Sequence, residues 1–258
     1  MSPPLLEIED LQVRVGGHEA VRGVSLAMNR ERVGIVGESG AGKSVLARAI
    51  MGLLPEGAER TARRLALDGI DLLAADEAEM RRLRGRRMAM ILQDPRFSLN
   101  PAMPVGEQIA ETYRAHGKFS AREARERAIA ALEAVKIRDP ETVARRYPHQ
   151  LSGGMGQRIM IAMMLAPDPD LLIADEPTSA LDAGVALEVL ALLDAEVARR
   201  DMAIILISHD LDLVAAFCDR VLVMEQGQIV EACATADLAQ ATHPYTRRLL
   251  AARLTLDS

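Results

Sequence analysis

An α/β fold is predicted, with a mainly parallel sheet, an antiparallel β subdomain at the N-terminus and an inserted α-helical subdomain. Three observations predict it. Leu171 to Ala174 and Ala203 to Ile207 are continuous apolar runs, the pattern of strands buried on both faces of a parallel sheet. Leu6 to Val15 and Ala20 to Met28 instead alternate, as antiparallel strands with one wet face do, and Gly16-Gly17 joins them. From Pro104 to Met164 the apolar spacing is helical. Strands at both ends with helices between them describe one interrupted core, not two independent domains. The expected domain spans 1–258: catalytic core with its β subdomain at 1–93 and 167–231, helical subdomain at 94–166, C-terminal segment at 232–258.

The elements follow in order. Arg32 to Val36 is a short β-branched strand, followed at once by a glycine-rich turn and by a helix over Lys43 to Leu54 that Pro55 stops. Met88 to Leu92 reads as a strand. Glu107 to His116, Ala121 to Val135 and Met155 to Leu165 carry the helical segment. Val185, Val189, Leu192, Leu193 and Val197 share one helical face between the two buried strands. Val221 to Met224 and Gln228 to Val230, turned at Gly227, close the chain as a hairpin.

Composition excludes several classes. Apolar residues make up 49% and charged residues 26%, which is globular and not disordered. Arg plus Lys is 31 against 37 for Asp plus Glu, a net charge of −6, so no bulk nucleic-acid face is expected. The longest apolar run, Ile159 to Ala166, is far shorter than the roughly 20 residues that span a bilayer. The first residues lack the basic region of a secretory signal. Cys218 and Cys233 make neither a CxxC pair nor a disulfide framework, which points to a reducing, cytosolic compartment. Lysine occurs three times only, at 43, 118 and 136, which draws attention to Lys43.

Gly37-Glu38-Ser39-Gly40-Ala41-Gly42-Lys43-Ser44 fits the phosphate-cradling pattern GxxxxGK[ST], with a strand before it and a helix after it. Glycines let the backbone turn tightly and aim successive N–H groups at phosphate oxygens. The helix start adds its positive dipole end. Lys43 supplies a compact cation to the outer phosphates, and the Ser44 hydroxyl reaches Mg²⁺. The bland alternative is a glycine-rich turn with an incidental lysine.

Leu171 to Ala174 runs into Asp175-Glu176. Adjacent unpaired carboxylates at a buried strand end are costly, so a cation or a chemical task is expected there. Asp175 would hold Mg²⁺ through water and Glu176 would polarise an attacking water. A solvated acid pair before Pro177 is the plain alternative. His209 follows the strand Ala203 to Ile207 and is expected beside the Glu176 strand end, near the γ-phosphate. Gln93 ends its strand where it could ligate Mg²⁺ or the lytic water. Ser152 caps the helix that follows Leu151-Ser152-Gly153-Gly154-Met155-Gly156-Gln157, whose glycines leave N–H groups open at a helix N-terminus. One nucleotide rarely needs two such cradles from one chain. The economical reading is that this second edge faces the nucleotide of a partner chain.

With these residues in view the sequence resembles an ABC-type ATPase subunit. Gly37 to Ser44, Gln93, Leu151 to Gln157, Leu172 to Glu176, Ser179-Ala180-Leu181-Asp182 and His209 occur in that family's order, over nearly the whole chain. Gln93-Asp94-Pro95-Arg96-Phe97-Ser98-Leu99-Asn100-Pro101 is similar to the QDPxxSLNP stretch of peptide and nickel importer ATPases. Tyr147 to Gln150, Met160 to Ala162 and His243-Pro244-Tyr245-Thr246 point the same way. The resemblance implies a P-loop ATPase core that binds ATP and Mg²⁺. It implies phosphate contacts from Gly37, Glu38, Ser39, Gly40, Ala41, Gly42, Lys43 and Ser44, and Mg²⁺ service by Ser44, Gln93 and Asp175. Glu176 would be the general base and His209 the γ-phosphate switch, with Gln93 beside them. Ser152, Gly153, Gly154, Met155, Gln157 and Asp182 would reach nucleotide across a subunit boundary.

The implied role is ATP hydrolysis that energises uptake of peptides or nickel and metal chelates. The implied partners are a second, different ABC ATPase, two membrane permease subunits and, indirectly, a periplasmic or extracellular substrate-binding protein. The chain would sit on the cytoplasmic face of the plasma membrane, held by the permease. The competing reading is a soluble ABC ATPase acting on nucleic acid or ribosomes, for which no basic channel, coiled-coil arm or tandem ATPase is seen. A small-molecule kinase is the third reading, and Leu151 to Gln157 speaks against it.

Departures from the family are also visible. Val15, with His18 nearby, stands where many members stack an aromatic residue on adenine, an interaction worth about 1–3 kcal/mol by analogy with base stacking. Gly156 replaces a common arginine. Two cysteines do not make the iron–sulfur cluster of larger relatives. Arg81, Arg82, Arg84, Arg86 and Arg87 read as a solvated edge more readily than as a lipid-phosphate contact. Met160, Met163 and Met164 are expected in the core. His116, His149 and His243 lack metal-ligand spacing.

Overall fold

The computed structural model describes residues 3–95, 98–179 and 181–254. Arg96, Phe97 and Ala180, which fall within the motifs above, lie outside the described residues. In chain order the elements begin with β1 (Leu6–Val15), β2 (His18–Met28), β3 (Arg32–Val36), α1 (Lys43–Met51), β4 (Glu59–Thr61), β5 (Arg64–Leu67), β6 (Ile70–Asp71) and α2 (Glu77–Arg86). Then come β7 (Met88–Ile91), α3 (Val105–His116), α4 (Ala121–Ala134), α5 (Pro140–Ala144), α6 (Gly153–Leu165), β8 (Leu171–Asp175) and α7 (Ala183–Arg200). The chain closes with β9 (Ala203–Ser208), α8 (Leu211–Phe217), β10 (Arg220–Glu225), β11 (Gln228–Ala234) and α9 (Pro244–Leu254). These residues form two compact units, one from residues up to 80 and from 203 onward, the other from 81–202.

The first unit holds two sheets. In one, β1 pairs antiparallel with β2, β4 and β5. Gly16 and Gly17 both take positive φ, 55° and 83°, which is the two-residue turn that suits the twist of a hairpin. In the other, β3 lies between β10 and β9, parallel to both, and β11 adds an antiparallel edge. Val33, Ile35 and Val36, Ile204 to Ile207 and Val221 to Met224 are buried there, as their unbroken apolar runs require. Gly34 is needed for close packing of α8 on β3: a Cβ there would meet Val214 Cγ1 at 2.1 Å and Cys218 Sγ at 3.2 Å. Burial pushes the Cys218 thiol up to about 12, so it is an inert core group.

In the second unit β7 and β8 pair in parallel, with Met88 opposite Leu171 and Ile91 opposite Ala174. Met160 and Met163 of α6 and Val189, Leu192, Leu193 and Val197 of α7 are buried. Ser120 and Glu123 form a reciprocal capping box that starts α4. Gly85 adopts φ 87° within α2 and faces the ring of His116, whose pKa is lowered by burial and by Arg86. Arg87 pairs with Asp170, so one member of the arginine run is an internal staple.

The α1 helix stops at Met51, three residues before the expected end. Gly52 takes a left-handed conformation, φ 63°, and Leu53 N–H returns to Arg48 O at 2.8 Å, so a glycine cap ends the helix before Pro55 can. The hairpin of β10 and β11 turns on Gln226 as well as Gly227, both at positive φ.

Candidate functional site

The phosphate loop leaves β3 at Gly37 in the first unit. Lys43 is 5% exposed, and its Nζ donates to Gly37 O at 2.7 Å and Glu38 O at 2.9 Å. Ala41 N–H donates to Glu38 O, and Gly227 N–H to Ala41 O, so the loop is closed on itself and tied to the β10–β11 turn. Gly42 precedes α1 at φ 101°. A Cβ there would meet Ala20 O at 2.3 Å, so both backbone angle and space demand glycine. Gly42→Ala is expected to cost about 1–3 kcal/mol, the size of a left-handed strain or an overpacked core. Thermal unfolding checks this: a fall of about 2–4 °C per kcal/mol is the scale for a chain of this size.

His209 follows β9, and the register Val36–Ser208 makes it the neighbour of Gly37 at the exit of the adjacent strand. The side chain is exposed. Asp210 turns the chain into α8 by accepting N–H bonds from Asp212 and Leu213. Val15 is paired with His18 across the β1–β2 turn, so the two residues weighed for adenine contact are cross-strand neighbours.

The second unit carries Gln93, Asp175 and Glu176. Since Ile91 is opposite Ala174, the residues two steps on, Gln93 and Glu176, emerge side by side. Gln93 Nε2 lies 3.4 Å from Glu176 Oε2, a long hydrogen bond. Asp175 ends β8 and is 5% exposed. Glu176 has φ 46° although it is not glycine and precedes Pro177. A residue before proline normally stays extended, so this left-handed carboxylate is held against its local preference. Such strain gathers at functional residues. Nothing in the residue pattern signalled it.

The second cradle is also within this unit. Ser152 Oγ accepts from Met155 N–H at 3.4 Å and starts α6, as expected. Gly153 and Ser152 are exposed. Gly154 has a further role: a Cβ there would meet Val185 Cγ1 at 2.6 Å, so it allows α6 and α7 to approach. Asp182 caps α7 by accepting from Val185 N–H at 3.0 Å. The expectation that Gln157 presents an edge to another chain is corrected. It is 1% exposed on the inner face of α6 and offers no surface to a partner. Helical phase explains the difference, since Gln157 shares its face with buried Met160 and Ile161. Gly156 is buried as well and lies beside Pro95.

Among the described residues no helix is long and apolar enough to cross a membrane. The ABC transporter family model matches residues 21–179, more than half of the chain. The probable peptide ABC transporter ATP-binding protein y4tR of Sinorhizobium fredii is 47% identical over 253 residues, 95% of this chain and 76% of that protein. The oligopeptide transport ATP-binding protein OppD of Bacillus subtilis is 46% identical over 261 residues, covering 98% of this chain and 73% of OppD. Among solved structures, a dimeric post-hydrolysis state of the ATP-binding cassette MJ0796 with ADP and Pi superimposes with a TM-score of 0.79 at 26% identity, covering 89% of this chain and 98% of that one. The chain belongs to the ABC transporter family and is an ATP-binding, ATP-hydrolysing subunit of it.

Proposed function

We propose that this subunit powers peptide uptake through partner permeases. The similarity to peptide-transport ATP-binding proteins over nearly the whole chain carries the reading. In this reading residues 1–93 and 167–231 are the catalytic core and 94–166 the helical subdomain of one nucleotide-binding domain, followed by the segment 232–258. The subunit works at the cytoplasmic face of the membrane beside a second, different ATPase, two permease subunits and a substrate-binding protein. Uptake of nickel chelates is the neighbouring possibility raised by the QDPxxSLNP likeness.

The residues present fit ATP with Mg²⁺. Lys43, the glycine-rich loop 37–44 and the helix start of α1 are a cradle for anionic oxygens. Ser44 of one unit and Gln93 and Asp175 of the other offer hydroxyl, amide and carboxylate oxygens, the donor chemistry that Mg²⁺ prefers, and the family resemblance would assign the ion to them. When bound, the ion neutralises charge on the phosphate oxygens. Glu176 takes a proton from the attacking water as its oxygen bonds to the γ-phosphorus and the bond to the β–γ bridging oxygen breaks. Gln93 steadies the Glu176 carboxylate. Lys43 offsets the charge that gathers on the outer phosphates, and His209 monitors them from the β9 exit. Ser152 to Met155, with Asp182, face the partner's nucleotide.

The test is made in vesicles containing the permease, the second ATPase and this chain. Labelled dipeptides are expected to accumulate in an ATP-dependent manner, and nickel chelates are the comparison. Accumulation of neither would sink the importer reading, and DNA- or ribosome-stimulated hydrolysis would replace it. In the same vesicles Ser152→Arg places a bulky cation in the second cradle without touching this chain's own P-loop. ATP binding by the isolated variant is expected to stay unchanged while turnover of the complex falls at least tenfold. Normal turnover of the variant complex would show that the sites are not shared.

A further inference from the structure

The C-terminal helix touches the phosphate loop. Tyr245, in the first turn of α9, is 3% exposed, and its hydroxyl oxygen accepts the N–H of Glu38 at 2.9 Å. The two residues are 207 positions apart. The peptide that donates this bond also serves Lys43: Gly37 O, its carbonyl, accepts from Lys43 Nζ, as does Glu38 O of the next peptide. A continuous chain therefore runs from the Tyr245 phenol through the Gly37–Glu38 peptide to the Lys43 ammonium. The Gly37–Glu38 peptide is held at both ends, by the phenol oxygen at its N–H and by the ammonium at its carbonyl.

Tyr245 is itself firmly held. Glu231 of β11 accepts from the N–H groups of Thr242 and His243, at 3.3 and 2.8 Å, and from Thr242 Oγ1, which anchors the chain just ahead of α9. The backbone bond from His243 is the largest of the influences that hold the Glu231 carboxyl below the usual range. Tyr245 N–H donates to His243 Nδ1, and Arg248 stands 5.5 Å from the Tyr245 ring centre while pairing with Glu225. The hairpin that carries Glu225 and Glu231 is the one whose β10 pairs with β3, the strand that leads into the loop. Burial of the ring removes competing water, which strengthens the phenol–amide bond and raises the penalty for losing it.

We propose that Tyr245 is a positioning residue for ATP binding. It sets the Gly37–Glu38 peptide that aims the Lys43 ammonium at the outer phosphates. The proposal rests on the assignment of Lys43 to those phosphates, and the experiment separates the two. Equilibrium titrations of the full chain are run with MgATP and with AMP, which lacks the outer phosphates. Tyr245→Phe keeps the ring and deletes the acceptor. Its Kd for MgATP is expected to rise about two- to tenfold, the range one net hydrogen bond supports, while its Kd for AMP stays within twofold. In a Lys43→Ala background the same substitution is expected to add nothing. A Tyr245→Phe chain that binds MgATP as the native chain does overturns the proposal, as does equal weakening toward MgATP and AMP, or a full additional loss beside Lys43→Ala. If Lys43→Ala itself binds MgATP normally, the assignment of Lys43 fails instead.

A second measurement needs no change at Tyr245. The chain has three tyrosines, so 3-fluorotyrosine labelling of a Tyr113→Phe, Tyr147→Phe chain leaves one fluorine resonance, at Tyr245. That resonance is expected to move with MgATP and to stay in place with AMP. A resonance indifferent to MgATP overturns the proposal.

Discussion

Glu176→Gln is expected to leave ATP bound and almost unhydrolysed. The substitution keeps the shape of the side chain and an oxygen that can accept from Gln93, but it removes the basic carboxylate. A positioned general base contributes about 10²–10⁴-fold, so turnover of the assembled complex should drop by that factor. Affinity for MgATP should change less than twofold, because the proposed phosphate contacts, at 37–44, lie in the other unit of the chain. The left-handed backbone at Glu176 gives the prediction its sharpness. The main chain sets where this side chain leaves β8, and the amide keeps an oxygen for Gln93, so the amide should stand where the acid stood. Single-turnover hydrolysis of labelled ATP measures the step directly. Native turnover in Glu176→Gln would move the base to another residue.

Lys43→Ala is expected to remove most ATP binding. Lys43 is 5% exposed and its ammonium lies against two carbonyls of its own loop, so it is held in place before any phosphate arrives. Charge-assisted hydrogen bonds are worth about 1.5–3 kcal/mol each, which corresponds to about 10–150-fold in Kd. The loss should grow from AMP to ADP to ATP, since the outer phosphates are the proposed partners of the lysine. Alanine is a good helix former at the first position of α1, so the helix itself should survive. Isothermal titration with the three nucleotides checks the order. A uniform loss across all three would indicate a collapsed loop, not a missing cation.

Lys43 and Glu176 are both legible in the amino-acid sequence. Lys43 was visible because GxxxxGK[ST] is a local pattern with a strand before it and a helix after it. Glu176 was visible because an unbroken apolar strand ending in two acids is a local anomaly. Gln93 was weak evidence by itself. Its partnership with Glu176 depends on the register of β7 against β8, which pairs residues 83 positions apart. The Gln157 assignment failed for a related reason: the motif marks a helix start, whereas which side of that helix is buried is decided by what packs against it.

The amino-acid sequence by itself determined the alternation of buried strands and helices, the phosphate loop, the strand-end carboxylates and the Ser152 cap. These follow from period, spacing and turn chemistry within some ten residues, where chain connectivity alone sets the geometry. Only the tertiary structure decided the left-handed backbone of Glu176, the dependence of Gly42 on Ala20 O and of Gly154 on Val185, and the bond from Glu38 to Tyr245. Each of those depends on two segments brought to within a few ångströms by packing. A close approach of that kind leaves no periodic trace in either segment, because the residue is chosen by its neighbour in space and not by its neighbours in the chain.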